Sequence, residues 1–454
     1  MRLLRVAKWG LFLLGCALAL WPLAMAVAAW RAEARLEEAV QELVRGGEPV
    51  EASQLAKSPI PDGENAALVY QQAFDAIELS EEDEAAVKDL TGERASLDDP
   101  ETGAQAREIL ARNAKALDLI HRAATMPRCD FRVDWSKGFD VEFPHLSKLR
   151  TSARLLAFES LMLVDAGRVD EAIEVCGSIF ALSNAADEPC LIGILVRYAI
   201  IGMGTTALQA ALRDTHPAPE ICQKLASEID RIDLRPFFVE ALKGERAFAR
   251  VAFAAMRSAP DFVEAIEQLQ SGREEEPSES DVSRGPRHRK RQTYMVRWML
   301  ACDELEYLSR MGQVIELGPR PYRDARTALK ELDNVEVTYL PPRGVLTCML
   351  LPVFDRAFAG RDRAIARLHM AEVALLLKAY RIRHDAYPES LAVLKDFAGR
   401  ELPDDPFSGA PLAYRRDGDG FVLYSWGVNL QDDGGTAPAP DSWDEGDIVV
   451  RCLR

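Results

Sequence analysis

The sequence predicts a mainly α-helical protein: one N-terminal membrane helix, a body of helical hairpins, and a small α+β module at the C-terminus. Three observations predict this class. Helix-forming alanine, leucine, glutamate and arginine are abundant, while only 7% of the 454 residues are aromatic. Apolar residues recur at helical spacing between about residue 65 and residue 383. Beyond residue 410, short alternating segments are separated by Asp-Gly and Pro turns, as in a small antiparallel sheet.

The bulk composition is that of a folded protein long enough for more than one domain. Hydrophobic residues make up 48% of the chain and charged residues 28%. The formal net charge is -17. A nucleic-acid partner is therefore not expected, because binding to phosphates requires a basic surface.

The N-terminus has the pattern of a membrane helix. Arg2, Arg5 and Lys8 form a basic head, and no charged residue follows until Arg31. The apolar run from Trp9 to Trp30 is long enough to cross a bilayer as a helix. Because the positive charges precede it, we expect the head in the cytoplasm and the bulk of the chain outside it, on the cell membrane as a single-pass protein.

Two other interpretations of this segment stay open beside the favoured signal anchor. Residues 24–26 (Ala-Met-Ala) and 26–28 (Ala-Val-Ala) are small-x-small patterns that suit a cleavable signal peptide. Cys16 after Leu-Leu-Gly has the form of a lipoprotein signal, but apolar sequence continues well beyond it. All three interpretations place the bulk of the chain outside the cytoplasm.

Helical periodicity continues through the body. Residues 80–103 are acidic and rich in turn formers, so no helix is predicted there. Residues 344–359 are predicted as a core helix leading into the next one. The remaining predicted helices span residues 65–79, 104–124, 144–165, 170–184, 188–212, 218–231, 235–257, 294–315, 320–333 and 361–383.

A helical hairpin near residues 154–184 is the strongest signal of the body. Gly167 interrupts two apolar helical faces, and the small Ala172 stands where two antiparallel helices approach closely. The stretch resembles one tetratricopeptide-type hairpin, although no second copy in phase is present, so an ordinary hairpin is favoured. The following apolar helix, residues 188–212, contains Arg197 and several glycines, and we expect it to be buried rather than a second membrane span.

Residues 271–292 lose all periodicity: an acidic half precedes a basic half that includes Arg287–Arg291. A solvated loop is favoured over a site for anionic lipid or a partner. The expected organisation is an anchor or signal peptide (1–30), a helical domain (31–270), this flexible charged loop (271–292), a helical continuation (293–360) and an α+β module (361–454).

The C-terminal module carries a recognisable order of motifs. A long helix is followed by residues 384–391 (HDAYPESL), 405–409 (DPFSG), 424–427 (YSWG) and 432–435 (DDGG). Strands are predicted at 411–416, 420–426 and 447–452. Over about 90 residues this order resembles the globular domain of the major pseudopilin of type II secretion systems. The whole chain is similar to large helical proteins of unknown function from bacteria such as planctomycetes.

The resemblance implies a fold and a calcium site. In the pseudopilin the loop before the last strand binds calcium, and the corresponding oxygen donors here are Asn429, Asp432, Asp433 and Asp447, with Asp441 and Asp444 as further candidates. A plain solvent-exposed turn is the alternative. The long helix lies about 360 residues from the N-terminus, and a Gly-Phe-x-x-x-Glu processing motif is absent from the N-terminal sequence. Assembly into a filament is therefore not expected.

No catalytic motif is present in the sequence. The six histidines lack metalloprotease spacing, and Gly-x-Ser-x-Gly, Walker and dinucleotide motifs do not occur. Asp404-Asp405 is interpreted as part of a turn, and His145 as a helix cap. None of the eight cysteines forms a Cys-x-x-Cys pair, and most are expected to be buried thiols; a disulfide within Cys176, Cys190 and Cys222 stays open.

The sequence therefore favours a membrane-anchored, extracytoplasmic, non-catalytic scaffold or interaction protein, with protein partners and with calcium as the one candidate cofactor. Two alternatives remain. One is an extracytoplasmic enzyme whose residues converge only in three dimensions, and the other is an accessory of a secretion apparatus.

Overall fold

The fold is mainly helical, with one small antiparallel sheet at the C-terminus, so the predicted class is confirmed. The computed structural model describes residues 2–90, 100–258, 293–339, 342–351, 354–438 and 445–452. The predicted charged loop 271–292 lies outside the described residues. The helices of the first part are α1 (Arg2–Arg45), α2 (Ala66–Ala76), α3 (Glu81–Leu90), α4 (Pro100–Arg112), α5 (Ala114–Ala124), α6 (Pro144–Asp165), α7 (Val169–Ser183), α8 (Leu191–Leu212), α9 (Pro219–Ile229) and α10 (Arg235–Ser258).

Among the described residues, 294–452 form the remaining helices and all five strands. These helices are α11 (Tyr294–Leu317), α12 (Tyr322–Asp333), α13 (Thr347–Leu350), α14 (Phe354–His384) and α15 (Leu391–Ala398). A two-residue pair, β1 (Thr338–Tyr339) and β2 (Pro342–Arg343), precedes α13. The terminal sheet consists of β3 (Ala413–Asp417), β4 (Gly420–Ser425) and β5 (Ile448–Cys452) in the order β3-β4-β5. All six residues of the central strand β4 are buried.

Two regions depart from the predicted helices. Residues 81–90 form α3, which the acidic composition concealed, and Val87 on it is buried. The predicted helix 104–124 is broken at Asn113, which is fully buried. The Asn113 side chain accepts a hydrogen bond from the Glu78 amide at 2.8 Å and donates to the Glu78 carbonyl at 3.0 Å. A contact between residues 35 positions apart thus ends α4 and starts α5.

The predicted core helix over 344–359 is wrong, because only the short α13 forms before α14 begins at Phe354. The buried carboxylate of Asp303 on α11 accepts hydrogen bonds from the amides of Gly344, Leu346 and Thr347. Because the three amides donate to one carboxylate, residues 344–347 are held in a turn. The chain therefore bends where apolar composition favoured a continuous helix.

The interior consists of two large apolar clusters. The smaller one lies among α2, α5, α6 and α7, and the larger one surrounds α14. Helix α14 packs against α8 and α9 on one side and against β4 and β5 on another. The predicted hairpin is present as α6 and α7, joined at Gly167 with a positive φ of 73°, and Ala172 is fully buried at their contact.

Helix α8 lies inside this arrangement and contacts α6, α7, α10 and α14. Of the helices whose side chains are described throughout, it is the one that is long and apolar enough to cross a membrane by length and composition, and 56% of its most apolar window is buried. These contacts agree with the expectation of a core helix.

Candidate functional site

The four residues predicted to bind calcium lie in the loop between β4 and β5. Asn429 donates to Asp433 Oδ2 at 2.7 Å, and Asp432 Oδ1 accepts from the Tyr424 hydroxyl at 3.1 Å. Asp447 is fully buried, and its carboxylate accepts from the amides of Asp433 at 3.3 Å and Gly435 at 2.6 Å. Burial raises the pKa of Asp447, and these two amides oppose the rise.

This loop is therefore folded around hydrogen bonds to its own backbone and neighbours. Gly434 and Gly435 both have positive φ, which the predicted tight curvature requires. Within the described part of the chain, no three His, Cys, Asp or Glu side chains come together in a group that suits a metal ion. The further candidates Asp441 and Asp444 lie outside the described residues. Calcium binding by this loop stays a prediction.

Asp405 closes the turn that precedes the sheet. Its buried carboxylate accepts from the amides of Phe407 and Ser408, both at 3.1 Å, from the Ser425 hydroxyl at 2.6 Å and from the Trp426 amide at 3.2 Å. Asp404, by contrast, is exposed. The two carboxylates do not act on a common point, and the turn interpretation fits this geometry.

A polar cavity lies among α2, α7 and α8. Its volume is about 330 Å³. Lys57 enters it from the segment before α2, Asp187 from the loop between α7 and α8, and Arg197 from α8. The rest of the lining includes Ile60, Ala66, Tyr70, Ala123, Met126, Arg128, Cys129, Asn184 and Phe237.

The loop that carries Asp187 is held by two close backbone approaches. A Cβ atom on Gly244 would lie 1.7 Å from the Pro189 carbonyl oxygen, and one on Gly193 would lie 2.6 Å from the Glu188 carbonyl oxygen. Only glycine allows α8 and α10 to approach the loop this closely. These contacts place Asp187 and Glu188 beside the cavity.

Two ionisable side chains of the lining, Lys57 and Cys129, are affected by burial and by nearby carboxylates. Lys57 Nζ forms an ion pair with Asp187. Burial lowers the pKa of Lys57, but the carboxylates of Asp187 and Glu188 more than offset that effect and raise it overall. Burial raises the pKa of the Cys129 thiol, so this cysteine stays protonated and is not an activated nucleophile.

Behind the cavity, His145 and Glu188 form a second buried pair with 3.1 Å between Nε2 and Oε1. The His145 ring stacks on Phe131, with 4.2 Å between the ring centroids. The predicted capping role of His145 is therefore replaced by burial against an aromatic ring and a carboxylate. It lies in the first turn of α6, and no side-chain hydrogen bond caps that helix.

A Ser-His-Glu arrangement occurs at a separate surface. His121 Nδ1 lies 2.9 Å from Ser178 Oγ, and His121 Nε2 lies 2.8 Å from Glu159 Oε2. Ser178 borders a second cavity of about 340 Å³ beside α9. The order serine, histidine, carboxylate is that of serine hydrolases, but the two ring nitrogens are exchanged, since in the triad Nε2 faces the serine. Moreover, Ser178 lies inside α7, whose amides are used by the helix, so α7 offers no backbone donors for an oxyanion beside it.

Neither constellation was predicted, because its members are far apart in the sequence. Lys57 and Asp187 are separated by 130 positions, and His121 and Ser178 by 57. One signal was present: Arg197 is the only charged residue of a strongly apolar helix. A charge at that position is costly unless it has a partner or a use.

The cysteines of the described residues are all free thiols, and Cys176, Cys190 and Cys222 are buried. The interpretation as buried thiols therefore fits better than a disulfide among these three. Comparison of the whole chain with protein-family models, with curated proteins and with solved structures gives no match. The pseudopilin resemblance accordingly stays a prediction.

Proposed function

We propose that this chain is a membrane-tethered protein whose helical body lies outside the cytoplasm and acts as a non-catalytic scaffold or interaction protein. The observation that supports this proposal is the two-part character of α1. The helix is continuous from Arg2 to Arg45, yet its two ends have different surroundings.

The part of α1 formed by residues 19–24 is apolar and exposed on every side. Residues 19–24 are consecutive and all exposed, including Leu20, Trp21 and Leu23, and Trp30 is 68% exposed. Six consecutive residues cover the full circumference of a helix. A helix that is apolar all round belongs in the core of a protein or in lipid, and the described residues leave positions 19–24 uncovered.

The inner part of α1 is fastened to the body. Ala32 and Leu36 are buried, and Val40 and Leu43 pack against the same cluster, where α1 lies along α11. Glu33 accepts two hydrogen bonds from Arg297, at 2.8 and 2.6 Å. A rigid helix thus links the proposed membrane segment to the body, which fixes the body close to the lipid surface.

Three buried carboxylates support a structural rather than a catalytic use of charge. Asp303, Asp405 and Asp447 each accept hydrogen bonds from backbone amides. Such bonds hold loops in place.

The test is membrane fractionation with protease accessibility, using the full chain with a C-terminal tag. We expect the tag in the membrane pellet after alkaline extraction, and we expect it to be digested when protease reaches the extracytoplasmic side. Leu20→Arg combined with Leu23→Arg should shift the chain out of the pellet, since each arginine at the centre of a span costs about 3 kcal/mol. Val44→Arg, on the exposed side of the inner part, is the matched control and should stay in the pellet.

Recovery of the unmodified chain in the soluble cytoplasmic fraction, with the tag protected from external protease, would refute the proposal. Crosslinking mass spectrometry on the same membranes then identifies protein partners. Reproducible crosslinks to proteins other than this chain are expected of a scaffold.

A hydrolase is the second candidate, and the Ser178–His121–Glu159 arrangement is the observation that favours it. A fluorophosphonate probe distinguishes the two functions, because it labels serine only where the hydroxyl is activated. Labelling of the wild-type chain that is lost in Ser178→Ala would favour the hydrolase. Absence of labelling would favour the scaffold, which is the outcome we expect from the lack of oxyanion donors.

A further inference from the structure

We propose that the polar cavity among α2, α7 and α8 binds a small organic anion, a monocarboxylate with an apolar body, and that Arg197 is its anion-binding group. The proposal is independent of membrane attachment. It starts from the hydrogen bonding of one buried side chain and then uses the charge and size of the cavity.

Arg197 is buried without its full set of partners. The residue is 5% exposed. Its Nη2 donates to Asn184 Oδ1, and its guanidinium lies 4.3 Å from the centroid of the Phe237 ring. Its Nε and Nη1 are inaccessible to solvent and have no hydrogen-bond partner in the protein. Two unsatisfied N–H-bearing nitrogens on a buried cation are costly, and an acceptor from outside the chain removes that cost.

The charges that face the cavity favour a single negative charge. Three cations line it, Lys57, Arg128 and Arg197, against one carboxylate, Asp187. Lys57 is paired with Asp187 and Arg128 with Glu64, whereas no carboxylate of the described residues lies within ion-pair distance of Arg197. Burial lowers the pKa of Arg197, and the negative charge of Asp187 offsets only part of this effect. Glu188 beside the cavity is paired with His145, so one bound anion suffices to pair the cations of the lining.

The same arrangement disfavours a phosphate. A phosphate dianion needs several donors and more than one uncompensated cation, whereas a single arginine is free here. Asp187 lines the same cavity and repels a second negative charge. A carboxylate accepts from two donors, and Nε and Nη1 of Arg197 supply them when the guanidinium, which is shielded from solvent here, turns toward the ligand.

The remainder of the lining accommodates an apolar body. Ile60, Met126 and Phe237 lie on the wall with Ala66 and Ala123. A volume of about 330 Å³ is at the small end of the range for ligand sites. A carboxylate attached to one phenyl ring or to a short alkyl chain fits these two requirements.

The experiment is isothermal titration calorimetry on the full chain in a non-ionic detergent. The probes are phenylacetate and hexanoate, and phenylacetamide serves as the neutral match of the first. We expect saturable binding of at least one carboxylate with one site per chain, and weaker binding of the amide. Arg197→Met should weaken carboxylate binding by about 30-fold or more, because it removes the charged partner of a buried pair.

Arg168→Gln is the control variant. Arg168 does not line the cavity, and its side chain is 56% exposed and paired with Glu171, so binding should change by less than about 3-fold. Ile60→Trp adds bulk to the lining and leaves the guanidinium in place, so it should also weaken binding. It keeps the proposal testable if Arg197→Met fails to fold.

Three results would overturn the proposal. The first is no saturable heat from either carboxylate with the wild-type chain. The second is binding of phenylacetamide as tight as that of phenylacetate. The third is carboxylate binding by a folded Arg197→Met chain that equals the wild type.

Discussion

The hydroxyl of Ser425, the last residue of β4, donates a hydrogen bond of 2.6 Å to the carboxylate of Asp405, twenty positions earlier. Asp405 thereby joins the turn before the sheet to the end of its central strand. Both residues are buried, so neither partner has water to replace the other. This bond and the three amide bonds to the same carboxylate lead to the first prediction.

Asp405→Ala should lower the free energy of unfolding by about 3 kcal/mol, because it leaves several buried donors without an acceptor. Urea denaturation of the full chain in detergent, monitored by tryptophan fluorescence, measures this change. Asp404→Ala is the matched control: Asp404 is exposed, and its variant should differ from wild type by less than about 0.5 kcal/mol. Equal destabilisation by both variants would contradict the role assigned to the Asp405 carboxylate.

Gly244→Ala should destabilise the chain by about 3 kcal/mol or more. The added methyl group would overlap the Pro189 carbonyl oxygen, so α10 must move away from the loop that carries Asp187. Thermal melting followed by circular dichroism measures the effect. Gly312→Ala on α11 is the control, because a Cβ atom at Gly312 would have no neighbouring atom within 4 Å. That variant should gain about 1 kcal/mol from helix propensity, and a loss as large as that of Gly244→Ala would argue against the overlap.

Because of Glu372, the free energy of unfolding should decrease as the pH rises from about 4.5 to 7. Burial raises its pKa from 4.5 to about 7, against the opposing charge of Arg400, 2.7 Å away. In that interval the folded chain holds a proton that the unfolded chain has released, so folding is favoured at the acidic end. Above about pH 7 the cost of the buried carboxylate is fully present.

Glu372→Gln mimics the protonated side chain and should remove this slope. At pH 8 the variant should be more stable than wild type by about 2–3 kcal/mol, and near pH 4.5 the two should be similar. Unfolding free energies from urea titrations at pH 5, 6, 7 and 8 test this. Glu389→Gln, whose side chain is 84% exposed and paired with Arg416, is the control and should leave the slope in place. An unchanged slope in Glu372→Gln would assign the pH dependence to another group.

Glu304→Ala should destabilise the chain by about 3 kcal/mol. Its carboxylate is fully buried on α11 and pairs with Arg250 at 3.1 Å and with Arg257, both on α10. Removing the acid leaves two cations without their partner. Glu240→Ala breaks the pair with Lys243, in which the glutamate is 60% exposed, and should change stability by less than about 0.5 kcal/mol. Similar losses from both variants, measured by urea denaturation, would refute this assignment.

The local elements of the fold could be predicted from the sequence, and the tertiary contacts could not. The hairpin α6–α7 was predicted because Gly167 and Ala172 carry a local signal in the sequence itself. The break at Asn113 was missed because it depends on the backbone of Glu78, which no local pattern reveals. The turn over residues 344–347 was missed for the same reason, since its amides bind Asp303 about 40 positions earlier.

The candidate cavity follows the same rule. Arg197 was visible as a charge in an apolar helix, but its surroundings come from α7, α10 and the segment before α2. The predicted calcium residues do lie in one loop, because they are close together in the sequence. How each carboxylate is used there depends on Tyr424 and on the amides of residues 433 and 435.

Helix α14 packs against two parts of the fold: α8 and α9 cover one flank, and the terminal sheet covers another. A fragment cut at residue 361 would carry Leu368, Leu375 and Leu376 without the helices that shield them. Such a fragment is expected to aggregate during expression. A fragment that also retains residues 191–229 keeps α8 and α9, which cover these leucines. The C-terminal portion is therefore best studied within the whole polypeptide. The domain boundary that the sequence motifs predict at residue 361 lies inside one hydrophobic core.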